Sequence, residues 1–581
     1  MNNPLVFYCI STIIGILSYI VLNHNIILGA VIAASFFGIL YFNINKKFFI
    51  LCGLFACLGF ISACMYFEMK IPKNVTLKVR INSKSTYYAE GSYLGRNFNL
   101  QGNLNKVDVG DLVCVFGEFS NDIDYDNGII GDLKVKQIKC VKKDLISKIY
   151  DFRRKIYEKY SKEMGKDYAG IVMSLCFGDT SNLNGKYKDN LKTLGIIHAV
   201  SVSGMHIGVI YIVMEKILGI WGALIVSLIY VIFTGSLPAT FRSFIMIAIL
   251  KFSYKVYKNY NALASLAFSA LVMLVLKPYY LLNIGFDLSY LATLGIIIFY
   301  KKIRRSLYKL PQKLNDALSI TLSAQFFSVP YCLLVLGNFS GGFILGNLII
   351  VPVYSAIVLL GNSGIFLFSF NYVFSLLCKL IELVLESLDG VINDLLLITP
   401  NITYVTSFTA VALTFMLVSF AIYLKGNKKL KYFPIVIFIA VVFQSFYFFP
   451  TINYVKLKNS YALIVNYKNK TVAVMSGYNK NEKDKKEIAN RFSVDGFSYN
   501  YKTFIIDKIY RVSINSLKND VEVYCHGNKL LQSNNDGIVY KKGCLGGYGI
   551  IKMNKAQKYD SYKVKASALI IFGRILVLRG E

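Results

Sequence analysis

Four hydrogen-bonding side chains crowd into nine residues of an otherwise apolar stretch. They are His198, Ser201, Ser203 and His206, inside LGIIHAVSVSGMHIGVI at 194–210. A hydroxyl beside an imidazole can act as nucleophile and general base. At membrane depth the same groups can line a water-filled path, because polar side chains in apolar helices are kept where they face a cavity or a partner. They can also simply tie helices together through hydrogen bonds. No carboxylate stands nearby in sequence to orient either histidine, so the catalytic reading lacks its third group. Gly195, Gly204 and Gly208 permit close backbone approach or a break in the helix. On one continuous helix His198, Ser201 (or Val202) and Met205 share a face, and His206 joins them two turns on from His198.

Arg242 and Asp287 are single charges in the apolar segments TGSLPATFRSFIMIA (234–248) and GFDLSYLATLGIIIF (285–299). Each is expected to face water or a counter-charge. Gln325 and Asn347 add polar groups to the segment 323–355. Pro238, Pro330 and Pro352 predict kinked or broken helices, where freed backbone groups can line a pore. The 11 Cys form no C-x-x-C pair, and most read as small hydrophobes. Cys114 and Cys140 fall in a strand-rich stretch and are a possible disulfide if an oxidising compartment surrounds them. With only 4 His in the chain, a multi-histidine metal site is not expected. No cofactor is expected either.

These groups belong to a chain of 581 residues, 55% hydrophobic, with a net charge of +31 and a mean hydropathy of +0.49. Such values exclude an ordinary soluble protein. About a dozen apolar stretches lie between Leu5 and Pro450, and runs of roughly 17–25 residues cross a bilayer as helices. The positive surplus predicts an anionic partner: lipid headgroups, nucleic acid, or both. Three apolar runs open the chain, Leu5–Leu22, Ile26–Phe42 and Phe48–Phe67. No basic segment precedes the first, so the start reads as a retained helical hairpin. Residues 68–142 then alternate apolar and polar in short pieces, as in DLVCVFGEF, and predict a small β-barrel or sandwich. Residues 143–189 form a linker whose first part, Lys143–Met164, has helical apolar spacing and a basic opposite face suited to an anionic membrane surface. A second membrane block runs over 190–450. Residues 451–581 are strand-rich with one helical piece, hence an α+β soluble domain.

The loops sort by charge. Segments 251–258, 301–309 and 425–431 are basic, whereas 235–240 and 338–342 are neutral. The positive-inside rule assigns the basic segments, and Lys46–Lys47 with them, to the cytoplasm. Counting helices then puts 70–142 and 451–581 on the outer side.

The stretch 174–210, the Leu-Pro-Ala-Thr-x-Arg element at 237–242 and GFDLSYLATLGI at 285–296 resemble the competence domain of the ComEC family. The spacing of Gln325, Pro330, Asn347 and Pro352 completes the likeness. That family comprises inner-membrane DNA-uptake channels of transformable bacteria. The resemblance implies that 68–142 is OB-like, a fold that commonly binds single-stranded nucleic acid with a basic groove and aromatic platforms. Tyr87, Tyr88, Arg96 and Phe98 are the candidates. It also implies a polar passage, for which His198, Ser201, Ser203, Gly204, His206, Arg242, Asp287, Gln325 and Asn347 are the candidates. Its implied partners are single-stranded DNA, an outer DNA receptor and a cytoplasmic ATP-driven translocase, beside membrane lipid. This chain itself contains no G-x-x-x-x-G-K-[ST] sequence. Many family members end in a metallo-β-lactamase-like domain marked by His-x-His-x-Asp-His. The tail here offers only His526 and carries 23 Lys and Arg against 10 Asp and Glu. It reads as a degenerate remnant without nuclease activity.

The expected function is an inner-membrane channel passing single-stranded DNA into the cytoplasm during natural transformation, with its soluble domains outside. The alternative is an intramembrane hydrolase of an envelope substrate, using Ser203 or Ser201 with His198 or His206. A transporter of small anions would carry inverted repeats, and none is evident.

Overall fold

The structure is a computed structural model. It describes residues 3–404 apart from 44, 70, 86, 87, 105, 106, 201 and 401. Beyond these it describes 410–416, 419, 432–437 and 439, the strands between 451 and 579 named below, and a few residues within 485–494. Two compact units form, one from 1–329 with 340–401, the other from 330–339 with 402–581.

The first unit opens with α1 (Pro4–His24), α2 (Ile26–Asn43) and α3 (Lys46–Phe67). Small residues let α1 and α3 touch backbone to backbone: Gly15 meets Ala56, and Gly59 meets Thr12. On α2 the apolar side chains point outward, with Ile27 76% exposed. An apolar surface of this kind needs lipid around it.

Five strands follow: β1 (Asn74–Lys84), β2 (Tyr88–Tyr93), β3 (Arg96–Gln101), β4 (Leu112–Ser120) and β5 (Ile129–Lys142). They close in the order β1-β2-β3-β5-β4, with β3 and β5 parallel and the other pairs antiparallel. This closed five-strand barrel is consistent with an OB-like fold. Strand alternation turns Val113 and Val115 inward, where Val79, Phe98, Leu100 and Leu133 join them. The barrel is seated on α3: Tyr66 donates to the Gly128 carbonyl at 2.8 Å.

Helix α4 (Leu145–Phe177) begins with Asp144 as its cap, accepting from the Ser147 N–H at 2.9 Å. It is not one rod. At Gly165 the backbone takes φ 79°, ψ 167°, a region open essentially to glycine alone. The Arg153 Nη2 reaches the Phe177 carbonyl at 3.1 Å, whereas residues so spaced on a straight helix lie about 36 Å apart. The chain therefore doubles back, giving limbs 145–164 and 166–177. The first limb is the expected amphipathic helix, but it does not lie free on a membrane surface. Its Ile156, Tyr160 and Met164 are buried in one core with side chains from later helices, and Tyr160 donates to the Gly361 carbonyl at 2.8 Å.

The remaining helices are α5 (Gly185–Thr193), α6 (Ile197–Val200), α7 (Gly204–Phe233), α8 (Pro238–Lys255), α9 (Ala262–Leu276), α10 (Ile284–Ser306) and α11 (Gln312–Val335). Then come α12 (Phe343–Leu345), a π turn (Gly346–Ile350), α13 (Val351–Phe366) and α14 (Asn371–Ile398). Among the described residues 7 helical stretches are long and apolar enough to cross a membrane: α1, α2, α3, α7, α10, α11 and the continuous run Phe343–Phe366. The chain is a multi-pass membrane protein. Two further apolar helices fall outside that count, α8 because it carries Arg242, Lys251 and Lys255 and α9 because it has only 15 residues, although the 18 residues of α8 still reach about 27 Å. Most of 405–450 falls outside the described residues.

Helix α7 also folds back. Gly219 takes φ 69°, ψ −177°. A methyl on Gly178 would stand 3.3 Å from Val202 and 3.7 Å from the Thr234 carbonyl. The two ends of this 30-residue element thus meet at one point, where a straight helix holds them about 43 Å apart. By length and composition alone α7 counts as a span, but its limbs 204–218 and 220–233 are each too short to cross a bilayer core of about 30 Å. The element is a re-entrant hairpin.

The second unit contains a two-residue ladder, β6 (Asn338–Phe339) with β7 (Thr403–Tyr404). Its strands continue as β8 (Thr451–Lys456), β9 (Tyr461–Tyr467), β10 (Lys470–Met475), β11 (Gly496–Ser498), β12 (Phe504–Ile506) and β13 (Tyr510–Asn515). They end with β14 (Asp520–Cys525), β15 (Asn528–Asn534), β16 (Gly537–Lys542), β17 (Gly547–Lys552), β18 (Val564–Ile571) and β19 (Arg574–Arg579). One sheet runs β11-β10-β9-β8-β18-β19, and the other is the meander β12 to β17. Val455, Ala462, Ile464, Ala473 and Ile488 form a core on the first sheet. His526 lies outside the described residues.

Candidate functional site

The polar run 198–206 is not one helix. It breaks after α6 and resumes at Gly204, with Ser201 outside the described residues. His198 and His206 therefore share no helix face, which corrects the expectation of a single stripe. The break follows from Ser203, whose extended backbone (φ −104°, ψ 173°) starts a new helix.

His198 belongs to a docked loop. Segment 193–198 lies on 340–347 through glycines: Gly195 meets Phe343, Gly342 meets Leu194, and Gly346 meets Ile196. Ser340 Oγ donates to the Thr193 carbonyl. The imidazole lies within reach of the Asn347 side chain and the Gly195 backbone. Asn347 Nδ2 donates to the Phe343 carbonyl at 2.8 Å, which leaves Oδ1 to accept from the imidazole. Two predicted residues are thus brought together on a π turn, a distortion frequent at functional sites. His198 is exposed at this contact.

Ser203 and His206 form a second pair. His206 Nδ1 accepts from the Ser203 N–H at 2.6 Å and stands 3.3 Å from Ser203 Oγ. The first bond places the proton of a neutral imidazole on Nε2, a buried atom without a partner. With its Nδ1 lone pair committed to the backbone, this histidine is poorly arranged to take a proton from Ser203. His206 is 1% exposed, so as a passage-lining group it needs the surrounding helices to part. Ser355 Oγ, on α13, lies 3.4 Å from Met205 Sδ and fixes the start of α7 against that helix.

Arg242, in α8, also reaches the start of α7. A Cβ on Gly204 would stand 2.9 Å from Arg242 Nη2 and would overlap Ser243 Oγ. Glycine is required here by close approach. The guanidinium carbon sits 5.9 Å from the Tyr290 ring centre, and Tyr290 in turn donates to Ser269 Oγ at 3.1 Å. Asp287 occupies the first turn of α10, three residues before Tyr290. Gln325 lies on α11 beside the contact of Gly295 with the Ser323 backbone, half-buried. Ser203, Gly204, His206 and Arg242 are thus gathered in one place, His198 and Asn347 in another.

Two further features carry no simple sequence signal. Lys251 Nζ binds Glu215 at 2.6 and 2.7 Å, and Tyr211 donates to the same carboxylate at 3.0 Å. This triad locks α7 to α8 with its charges neutralised inside an apolar block. The hinge Gly219 is foreshadowed only by the excess length of its apolar run.

On the barrel the nucleic-acid candidates are largely corrected. Phe98 is 0% exposed, packed edge-on against Phe119, so no base can stack on it. Arg96 is engaged at the end of α3, donating from Nε to the Tyr66 carbonyl at 3.0 Å and from Nη2 to the Met65 carbonyl at 2.5 Å. Orphan carbonyls at a helix C-terminus attract such a cation. Tyr88 is half-buried on β2, and Tyr87 lies outside the described residues. Cys114 and Cys140 face each other in the β4–β5 register with free thiols.

Residues 175–428 match the protein family described as Competence protein. Over 237 residues the chain is 26% identical to ComE operon protein 3 of Bacillus subtilis (strain 168), covering 39% of this chain and 30% of that protein. An uncharacterized protein of Aquifex aeolicus (strain VF5) is 24% identical over 153 residues, 25% of this chain and 37% of that one. The chain thus matches only 30% and 37% of the length of these curated relatives. No solved structure matches it. The ComEC-like motifs that begin at 174–210, 237–242 and 285–296 fall within the matched region, save Ser174.

Proposed function

Since the chain carries the competence domain of the ComEC family over residues 175–428, we propose that it is an inner-membrane channel passing single-stranded DNA into the cytoplasm. The observation that carries this reading is the re-entrant α7, whose first turn lies beside Arg242 within an otherwise apolar block. A polyanion crosses hydrocarbon only along polar, cationic groups. Half-helices that end inside a membrane protein supply these. His198, Ser203, Asn347, Asp287 and Gln325 are proposed to line the path, with His206 and Arg242 joining when α7 and α8 move apart. Ser201 is proposed with them from sequence alone.

The positive-inside rule supports the orientation. A re-entrant α7 returns the chain to the barrel side, so α8 delivers the basic segment 251–258 to the opposite side, that of Lys46–Lys47. A crossing α7 would have put it beside the barrel. The barrel and residues 451–581 are therefore proposed to lie outside, where their Lys and Arg collect the strand. The degenerate metallo-β-lactamase-like reading of 451–581 remains part of this proposal, as do an outer DNA receptor and a cytoplasmic ATP-driven translocase. We assign transport, not hydrolysis, to the chain.

The test is uptake of fluorescent DNA by cells carrying or lacking the gene, in a strain that displays a DNA-binding pilus. Loss of internal signal with retained surface signal supports the channel. Unchanged internal signal overturns it. Ser203→Ala separates the hydrolase alternative, since a nucleophile loses all activity and a lining group only part of it.

A further inference from the structure

Arg242 is 9% exposed. Its guanidinium has five N–H donors, yet its hydrogen bonding is sparse. Nη2 makes a long contact with Ser243 Oγ at 3.3 Å, and Nε has no partner. Among the described residues no carboxylate comes within ion-pair distance of it. Neither α7 nor α8 has an acidic residue in its first turn. A buried cation left this way is expensive unless something anionic completes it.

The group lies against the first residue of α7, with Nη2 2.9 Å from where a Cβ on Gly204 would be. Ser203 and His206 cap each other's N–H groups there, and the remaining first-turn N–H groups, those of Gly204 and Met205, carry partial positive charge. Because α7 doubles back at Gly219, that turn lies within the block, with Val202, His206 and Ile207 buried and Gly204 and Met205 half-buried. A half-helix N-terminus beside a buried arginine has the features of an anion site. With no Cβ at position 204, the α7 backbone and the guanidinium come close enough to bind the same small oxyanion.

We infer that Arg242 and the first turn of α7 form an oxyanion site that takes a phosphate group. On the channel reading, which supplies only the ligand's identity, this is one phosphodiester of the passing strand. Arginine suits the task because its planar fork matches phosphate oxygens two at a time.

The full-length protein in nanodiscs of zwitterionic lipid provides the test, with hydrogen–deuterium exchange read over peptides spanning 203–210. Inorganic phosphate is expected to protect these peptides saturably, whereas chloride at matched ionic strength does not. Arg242→Gln is expected to weaken the protection at least about tenfold, the size of a lost charged hydrogen bond. Arg242→Lys is expected to keep part of it, and Gly204→Ala to lower it by pushing Ser243 and Arg242 away from the start of α7. A phosphodiester oligothymidylate that protects where a methylphosphonate one does not identifies the strand as ligand. Protection that appears with anionic lipid and does not respond to added phosphate supports the site but overturns the strand as its ligand. Absence of phosphate-dependent protection of the wild-type protein in the zwitterionic nanodiscs overturns the site itself, with no variant required to fold. Protection in vitro together with wild-type DNA uptake by Arg242→Gln cells upholds the site and overturns its role in transport.

Discussion

Arg153 donates from Nη2 to the Phe177 carbonyl across 3.1 Å, although 24 residues separate the two in the chain. That bond closes a helical hairpin at Gly165, and Gly219 closes a second one of the same backbone geometry. Both hinges occupy a φ/ψ region that side chains exclude, so the fold of the membrane block depends on two hydrogen atoms standing where a Cβ would be.

Gly165→Ala and Gly219→Ala are each expected to destabilise the protein by about 1–3 kcal/mol, the strain of holding a side chain in that region. Gly208→Ala is the control. It sits within a helix with open space around its Cβ position and is expected to be neutral or to stabilise by about 0.5–1 kcal/mol. Thermal unfolding of the purified protein in detergent measures all three. Equal losses at 208 and 219 would contradict the hairpin.

The re-entrant path also fixes which loops share a side. In a background with the native cysteines replaced, Asn184→Cys and Ser236→Cys are expected to react with a membrane-impermeant maleimide from the same face. Tyr257→Cys is expected to react from the other face only. Opposite labelling of 184 and 236 would make α7 a crossing helix.

The junction of barrel and helices is expected to respond to acid. Arg80 binds Asp144 through both Nη atoms, and the Ser147 N–H adds a third bond to the carboxylate. The Arg80 hydrogen bonds, with those from Ser147, hold the Asp144 carboxyl well below the usual carboxylate range. A depressed folded-state value means stabilisation that is complete above the unfolded value, near pH 4, and is lost as pH falls through the folded one. Limited proteolysis near residue 144 is therefore expected to accelerate only in strong acid. Asp144→Ala is expected to show the same sensitivity at neutral pH, losing about 1 kcal/mol of capping. A wild-type cleavage rate flat down to the lowest pH tolerated would refute the linkage.

Phe98 provides a direct contrast between packing and stacking. Phe98→Ala is expected to cost about 3–5 kcal/mol through the cavity it leaves in the barrel, seen as a lower melting temperature of the full-length chain. A variant with unchanged melting and weakened binding of single-stranded DNA would restore it as a stacking platform.

Much of this architecture was legible in the order of residues. The apolar runs at 5–67 became α1 to α3 because 17 to 20 consecutive residues without charge have few alternatives in lipid. The alternation of DLVCVFGEF became β4, and period two also decided which of its side chains face inward. The competence motifs identified the block that the family comparison matches. Arg96 and Phe98 show where the reading stopped. An aromatic and a cation on a strand look alike in sequence whether they meet a ligand, a core or the end of a neighbouring helix.

The sequence by itself determined that this chain enters a membrane many times, where its strand-rich stretches fall, and that polar groups cluster at 198–206. Only the tertiary structure decided that α4 and α7 double back, that Ser203 and His206 cap a helix while His198 joins Asn347, and that Arg242 stands against Gly204. Hydropathy and periodicity are sums over neighbours in the chain. A reversal at one glycine leaves those sums unchanged, and only contacts between distant residues can report it.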